Sequence, residues 1–227
     1  MKGKLIVLDG ADGVGKATQT ALLVERLKKE GKKVHTLDFP QYEHNLMGKL
    51  IGECLAGKRG DFVHVDPYIG SVLYATDRYE TRDKINMWLT SGHTVVLDRY
   101  VSANQIHQGG KVLVARERTQ FLDWLDRLEY GVFGLPRAHL TLYLAMPLSH
   151  SLRLLEEKRA GQKKTYIATS TDTVEKDIAY LTNSRKSAES LMKTHKQWIK
   201  IDCTNKKTIL TREVIHAKIW DAVQTYI

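Results

Sequence analysis

The sequence predicts a single α/β domain in which helices flank a five-stranded parallel sheet. Three observations carry that expectation. Short apolar runs alternate with longer stretches of helical periodicity along the whole chain. The short runs are apolar at nearly every position, as strands covered on both faces are. Glycines such as Gly31, Gly57 and Gly92 close helical stretches where a C-terminal cap is needed. With 227 residues the chain can bury a substantial core. No repeat, low-complexity tract or linker divides it, so residues 1–227 read as one domain.

In order, Leu5 to Leu8 is the first strand, and a glycine-rich loop leads into a helix opened by Lys16. That helix carries Ala21, Leu23, Val24 and Leu27 at helical spacing and stops near Glu30-Gly31. Lys33 to Asp38 is the second strand, ended by Phe39-Pro40, which implies a right-handed crossover. A helix with Leu46, Met47, Leu50, Ile51 and Leu55 follows, then a loop from Lys58 to Pro67. One long helix is expected from Ile69 to Ser91, with Val72, Ala75, Tyr79, Ile85 and Leu89 on its buried side. Thr94 to Asp98 is the third strand, with a carboxylate at the end that faces the ligand crevice of a parallel sheet. Helices over Val101–Gln108 and Ala115–Tyr130 lead to the fourth strand, Leu140 to Met146. A basic helix over Ser149–Arg159 runs into the irregular, threonine-rich stretch Gly161 to Thr173, a candidate flap. A helix over Val174–Lys193, the fifth strand Trp198–Asp202 and a closing helix over Ile209–Tyr226 complete the chain.

Composition narrows the function classes. Hydrophobic content of 42% and charged content of 27% are those of an ordinary globular protein. No apolar run reaches the length of a membrane span, and no signal peptide is evident before the first strand. Cys54 and Cys203 have no paired spacing, which points to a reducing compartment, the cytoplasm. The net charge of +9 raises nucleic acid as a partner. The basic clusters are short, however, and lack the interleaved aromatics that stack bases, so solvated helix faces and an anionic small substrate are expected instead.

The chemistry starts at Gly10-Ala11-Asp12-Gly13-Val14-Gly15-Lys16, which fits the phosphate-loop pattern of glycine, four residues, glycine, lysine. Glycines let backbone N–H groups turn inward around an anion, and the helix start adds unpaired N–H groups and a positive dipole end. Lys16 supplies a mobile charge that follows the transferred phosphoryl group. Ala17 stands where a magnesium-binding Ser or Thr is usual, and Thr18 follows one place later. Asp98 can hold a hydrated magnesium ion or orient the nucleophile, and Arg99 can pair with a second phosphate. Arg153, Lys158, Arg159 and Lys163-Lys164 can close over a triphosphate. Asp12, turned outward, can accept a hydrogen bond from a sugar hydroxyl; turned inward it would repel phosphate.

These residues resemble the thymidylate kinase family of P-loop nucleoside monophosphate kinases along essentially the whole chain. The resemblance rests on Asp9 to Lys16 with Ala17-Thr18-Gln19, on Phe39-Pro40, on Leu73-Tyr74-Ala75-Thr76-Asp77-Arg78, and on Asp98-Arg99-Tyr100 with Asn104 and Gln108. It implies a P-loop kinase fold with a small flexible lid over about 158–172, a homodimer, and phosphorylation of dTMP to dTDP by ATP with Mg2+. ATP would be bound by Gly10, Ala11, Asp12, Gly13, Val14, Gly15, Lys16, Ala17, Thr18 and Arg153, the last against adenine. Tyr74 would stack on thymine, Arg78 would bond its edge, and Asn104 and Gln108 would complete base recognition beside Phe39 and Tyr42. Arg99 would hold the dTMP phosphate and Asp12 the 3′-hydroxyl. The catalytic set would be Lys16, Asp98, Arg99 and Arg159, with Asp98 as the metal residue, through water. No nucleic acid or membrane partner is implied.

Departures from the family leave alternatives open. Ala17 removes a hydroxyl that usually reaches magnesium, and Gly13 stands where some members carry a basic residue. Members without that residue rely on lid arginines, whereas this lid offers mostly lysines, point charges without a planar fork. Tyr42 stands where some members have an arginine. A kinase for another deoxynucleotide or a nucleoside, and a nucleotide-binding regulator with weak turnover, are the competing readings.

Overall fold

The computed structural model describes residues 3–161, 177–205 and 208–227, with only the helical backbone described over 158–161. Five strands form one parallel sheet in the order β2-β3-β1-β4-β5: β1 (Lys4–Asp9), β2 (Val34–Asp38), β3 (Thr94–Asp98), β4 (Leu140–Ala145) and β5 (Trp198–Asp202). The helices are α1 (Lys16–Lys29), α2 (Leu46–Leu55), α3 (Pro67–Glu80), α4 (Arg82–Thr90), α5 (Val101–Lys111), α6 (Ala115–Asp126), α7 (Leu148–Gly161), α8 (Ile178–Thr194) and α9 (Arg212–Val223). A short antiparallel ribbon, β6 (Thr204–Asn205) and β7 (Thr208–Ile209), precedes α9.

Alternate side chains of the strands feed two cores. Ile6, Leu8, Val96 and Leu142 pack with Leu23 and Leu27 of α1 and with Ile215 and Ile219 of α9. Leu5, Val7, Val95 and Leu97 pack with Ile85 of α4, Tyr100 and Leu135. Covering on both sides explains why the strands read as continuous apolar runs. The strand order reverses around β1, and that places the crevice at its C-terminal end, beside the end of β3.

Three expectations are corrected. The long helix over Ile69–Ser91 is two helices, because Thr81 leaves helical geometry at ψ 0°. Its amide and hydroxyl both bond the carbonyl of Arg78, at 3.2 and 3.0 Å, and so terminate α3. Val72 and Tyr79 lie on the exposed side of α3, which buries Ser71, Ala75 and Arg78 instead, and Ile85 of α4 is buried. The stretch Ala115–Tyr130 is α6 followed by a π-helical turn, Arg127–Val132. The closing helix starts at Arg212 because Thr208–Ile209 pairs in the ribbon and Thr211 caps the helix through the Val214 amide. The expected lid, 158–172, falls at and past the end of α7 and, beyond helical backbone to Gly161, lies outside the described residues.

Helix α5 carries several expected site residues, and α8 fixes its position. A Cβ on Gly110 would stand 2.7 Å from the Ser184 amide nitrogen and 2.8 Å from its Cα, so the two backbones touch. Gly110→Ala should therefore lower stability by about 1–3 kcal/mol through overpacking. Gly131→Ala, where a Cβ meets nothing within 4 Å, should leave it within about 1 kcal/mol of the starting value. Urea unfolding of both variants checks this, and equal effects would contradict the close approach.

Candidate active site

The crevice begins where β1 ends. Asp9 is fully buried, and its carboxylate accepts from the Gly10 amide at 2.8 Å and from Ser102 Oγ at 2.6 Å. This ties the loop to the start of α5. The loop then turns through Gly10, Gly13 and Gly15 at φ +146°, +79° and +91°. Gly15 caps α1 without a side-chain bond, so the first amides of the helix remain available to an anion. At Gly13 a Cβ would stand 2.6 Å from the Ser151 carbonyl oxygen and 2.7 Å from Leu155 Cγ of α7. Helix α7 thus occupies the space that a basic side chain at Gly13 would need. Lys16 Nζ donates to the carbonyls of Gly10 and Ala11, at 3.1 and 2.8 Å, and reaches Asp12 Oδ1 at 3.5 Å.

Arg99 faces that loop from the end of β3. Its backbone sits at φ +67°, a sparsely populated region for a residue with a side chain, and its amide bonds the Leu8 carbonyl at 2.9 Å. Arg99 Nη2 donates to Asp12 Oδ1 at 2.5 Å, and Nη1 lies 2.9 Å from His107 Nε2. A guanidinium only donates, so Nε2 accepts and the imidazole proton sits on Nδ1. That Nδ1 is buried with no partner among the described residues. Burial and the adjacent Arg99 push His107 down to about 3, which keeps it neutral. Burial opposes charge on Asp12, but Arg99 and Lys16 outweigh it and hold the carboxyl well below the usual range. Burial also opposes the Arg99 charge, and Asp12, Asp9 and Asp98 more than compensate. Burial, with Arg99 next, lowers the Lys16 ammonium against the pull of Asp12, Asp98 and Asp9.

A second buried ion pair lies deeper. Arg78 Nε and Nη2 each donate to the Glu129 carboxylate at 2.7 Å, and Asn104 Nδ2 donates to the same carboxylate at 2.8 Å. Tyr74, Arg78, Asn104 and Gln108 line one cleft with Phe39 and Tyr42, and Phe62 stands 5.7 Å from Tyr74 between ring centroids. Gln108 Oε1 is buried without a partner among the described residues. The segment after β2 that carries Tyr42 is anchored on Asp77, which accepts from the Gln41 amide and from Asn45 Nδ2.

The cleft has a volume of about 1280 Å³ and runs from these residues past the phosphate loop to Thr211, Arg212 and Glu213 at the start of α9. That exceeds the usual size of a single-ligand pocket. Asp12, Gly13, Val14, Gly15, Lys16, Ala17, Thr18, Asp98 and Arg99 line its middle. Gly10 and Ala11 lie beneath, as acceptors for Lys16. Arg153 does not line the cleft; it is exposed on α7 and pairs with Glu157 at 3.5 Å. The side chains of Lys158 and Arg159, and Lys163-Lys164, lie outside the described residues. The Asp98 carbonyl takes the Phe39 amide at 3.0 Å, but its carboxylate accepts no hydrogen bond from the described residues, and burial raises that carboxyl despite Lys16 and Arg99. No group of three or more metal-ligating side chains occurs among the described residues. One uncommitted carboxylate in a phosphate cleft fits a magnesium ion that keeps most of its waters and takes phosphate oxygens.

Two residues at this site escaped sequence reasoning. His107 lies one turn beyond Asn104 on α5, so helical spacing from a recognised residue was an available signal. Glu129 carries no local signal, since its partners are 51 and 25 residues away.

The neutral His107 has a pH consequence. Its unfolded imidazole titrates near ~6.5, so between that value and about 3 the unfolded chain binds more protons. Stability contributed by this group is present above the upper value and lost as pH falls. His107→Gln should make the decline in urea midpoint shallower by about one proton near pH ~5. An unchanged slope would contradict a buried neutral imidazole.

Comparison with known proteins shows the family. The family model for thymidylate kinase matches residues 8–214. Thymidylate kinase of Mycobacterium tuberculosis (strain ATCC 25618 / H37Rv) is 29% identical over 173 residues, covering 76% of this chain and 78% of that protein. The Homo sapiens thymidylate kinase is 32% identical over 152 residues, 67% of this chain and 65% of its own. That of Synechococcus sp. (strain JA-2-3B'a(2-13)) is 36% identical over 172 residues, 71% and 76%. A solved structure of thymidylate kinase from Candida albicans shares the fold at TM-score 0.69 and 21% identity, covering 99% of this chain and 92% of that one. With the family model spanning most of its length, the chain belongs to the thymidylate kinase family.

Proposed function

We propose that the chain transfers the γ-phosphoryl group of ATP to dTMP, giving ADP and dTDP, a step of pyrimidine deoxynucleotide synthesis. The observation that carries this reading is the convergence of two cations on one carboxylate oxygen. Lys16, from the phosphate loop, and Arg99, just after β3, both contact Asp12 Oδ1. Two phosphate-binding charges from different elements, facing one cleft, suit a reaction that brings two phosphorylated molecules together.

In this reading Lys16 and the loop amides of Gly10 to Thr18 hold the ATP phosphates. Arg99 holds the dTMP phosphate and Asp12 the 3′-hydroxyl, each exchanging the contact it now makes with the other. Tyr74 stacks on thymine between Phe39, Tyr42 and the base-reading residues Arg78, Asn104 and Gln108. Asp98 would hold Mg2+ through water, and the ion when bound would neutralise phosphate charge. Its support without a hydroxyl at Ala17 comes from the uncommitted Asp98 carboxylate. Arg153 is assigned to the adenine side and Arg159 to a lid over about 158–172, within one domain spanning 1–227. Neither competing reading, another acceptor or a regulator with weak turnover, is favoured by an observation of the site.

We further infer a homodimer working in the cytoplasm. Ile69, Val72 and Tyr79 recur on one face of α3 and are 58%, 37% and 44% exposed, an apolar stripe that a second copy would cover. Among the described residues no helix is long and apolar enough to cross a membrane, and both cysteines are free and buried.

Initial rates of ADP release with dTMP, dUMP, dCMP, dGMP and thymidine test the activity. The highest kcat/KM is expected for dTMP, and a better rate with any other acceptor would overturn the reading. Arg99→Ala should raise KM for dTMP by about 10–100-fold, the worth of a charge-assisted contact, and leave KM for ATP within about threefold. Equal losses would count against its acceptor role. Ile69→Glu combined with Val72→Glu should convert a dimer to a monomer in light scattering, and a monomeric unmodified chain would contradict the dimer.

A further inference from the structure

The base-reading end of the cleft is organised by a residue that touches no substrate in the reading above. Glu129 is fully buried and projects from the π-helical turn Arg127–Val132 that ends α6. Such turns re-aim a side chain that regular helix would point elsewhere. Its Oε1 accepts from Arg78 Nη2 at 2.7 Å and from Asn104 Nδ2 at 2.8 Å, and its Oε2 accepts from Arg78 Nε at 2.7 Å. The second hydrogen of Asn104 Nδ2 goes to the Ser71 carbonyl at 3.1 Å.

The consequence is a hydrogen-bond polarity. A carboxylate and a carbonyl only accept, so both amide hydrogens of Asn104 must face them. Asn104 is left with its carbonyl oxygen, an acceptor, which takes no bond from the described residues. Arg78 has two of its nitrogens committed and retains Nη1, a donor without a partner among the described residues. Both residues line the cleft. The pair therefore presents one acceptor and one donor. A keto pyrimidine offers the complement, an N3–H donor beside an O4 acceptor. Cytosine offers the reverse, a bare N3 beside an amino group.

We propose that Glu129 is the positioning residue that sets this polarity and thereby makes the cleft select keto over amino pyrimidines. It acts through Asn104, whose amide it prevents from turning over, and through Arg78, whose fork it holds flat. The inference rests on the assignment of Arg78 and Asn104 to the acceptor base. An amide in place of the carboxylate would bring its own N–H donor toward Asn104. Asn104 would then be held only by its 3.1 Å bond to the Ser71 carbonyl, a single contact it can give up to present its NH2 group to a bare ring nitrogen. Sites built on buried polar groups reject a mismatched partner by large factors, because those groups are left unpaired.

The test is the ratio of kcat/KM for dTMP to that for dCMP, with ATP and magnesium, in Glu129→Gln and in the unmodified chain. The ratio should fall about tenfold or more in the variant, while KM for ATP stays within about twofold. An unchanged ratio, even with both activities reduced, would mean that Glu129 only supports the fold and would overturn the proposal. If the half-compensated Arg78 charge prevents folding, Glu129→Asp keeps a carboxylate for Arg78 but is one methylene too short to hold Asn104, and the same ratio is expected to fall. The unmodified chain separates the two claims. If it does not prefer dTMP over dCMP, the assigned function fails. If it does and the variants keep that preference, only the role of Glu129 fails.

Discussion

The ion pair between Asp12 and Arg99 joins the two halves of the cleft. Asp12 belongs to the loop after β1 and Arg99 follows the last residue of β3, and the parallel register that pairs Leu8 with Asp98 brings them face to face. Holding the charged head there has a backbone consequence. Arg99 adopts a left-handed conformation that costs about 1–3 kcal/mol, offset by its amide bond to Leu8 and by the bonds of its side chain to Asp12 and His107. His107 accepts from Arg99 only while neutral, which its burial ensures. Lys16, folded onto the carbonyls of Gly10 and Ala11, shares the same carboxylate. The charges of Lys16 and Arg99, on the proposed donor and acceptor sides, are therefore coupled through a single aspartate.

The end of the cleft proposed for the acceptor base repeats the strategy at greater depth. Arg78 and Glu129 are an almost wholly buried pair, and such pairs rarely add much stability by themselves. Their contribution is geometric, because holding two nitrogens of the guanidinium and both hydrogens of the Asn104 amide leaves one donor and one acceptor in fixed places. Helix α8, in backbone contact with Gly110, holds α5 and with it Asn104, His107 and Gln108.

Much of this was legible before any coordinates. The glycines and lysine of the phosphate loop act through local backbone geometry, so their spacing reports them. The five strands are legible because both cores draw on apolar runs. Asp98 and Arg99, read from the end of the third strand, and Tyr74, Arg78, Asn104 and Gln108, named from a family resemblance, all line one cleft. What was hidden depends on contacts between distant segments. Periodicity carries through Thr81, so the break between α3 and α4 is invisible until its hydroxyl is seen bonding Arg78. Val72 and Tyr79 fit a buried stripe on paper and lie outside it because α3 turns Ser71, Ala75 and Arg78 inward. Glu129 looks like any helix-surface glutamate, and only the π-helical turn carries it inside. Gly13 appeared as a missing basic residue, whereas the approach of α7 shows that a side chain has no room there.

The central claim is that one cleft passes a phosphoryl group directly between two nucleotides. Phosphorus NMR of the chain mixed with ATP, Mg2+ and dTMP tests it most directly. The account predicts that ADP and dTDP appear in equal amounts as ATP and dTMP disappear, with no free phosphate. Accumulation of ADP with inorganic phosphate, or no consumption of ATP, would contradict it.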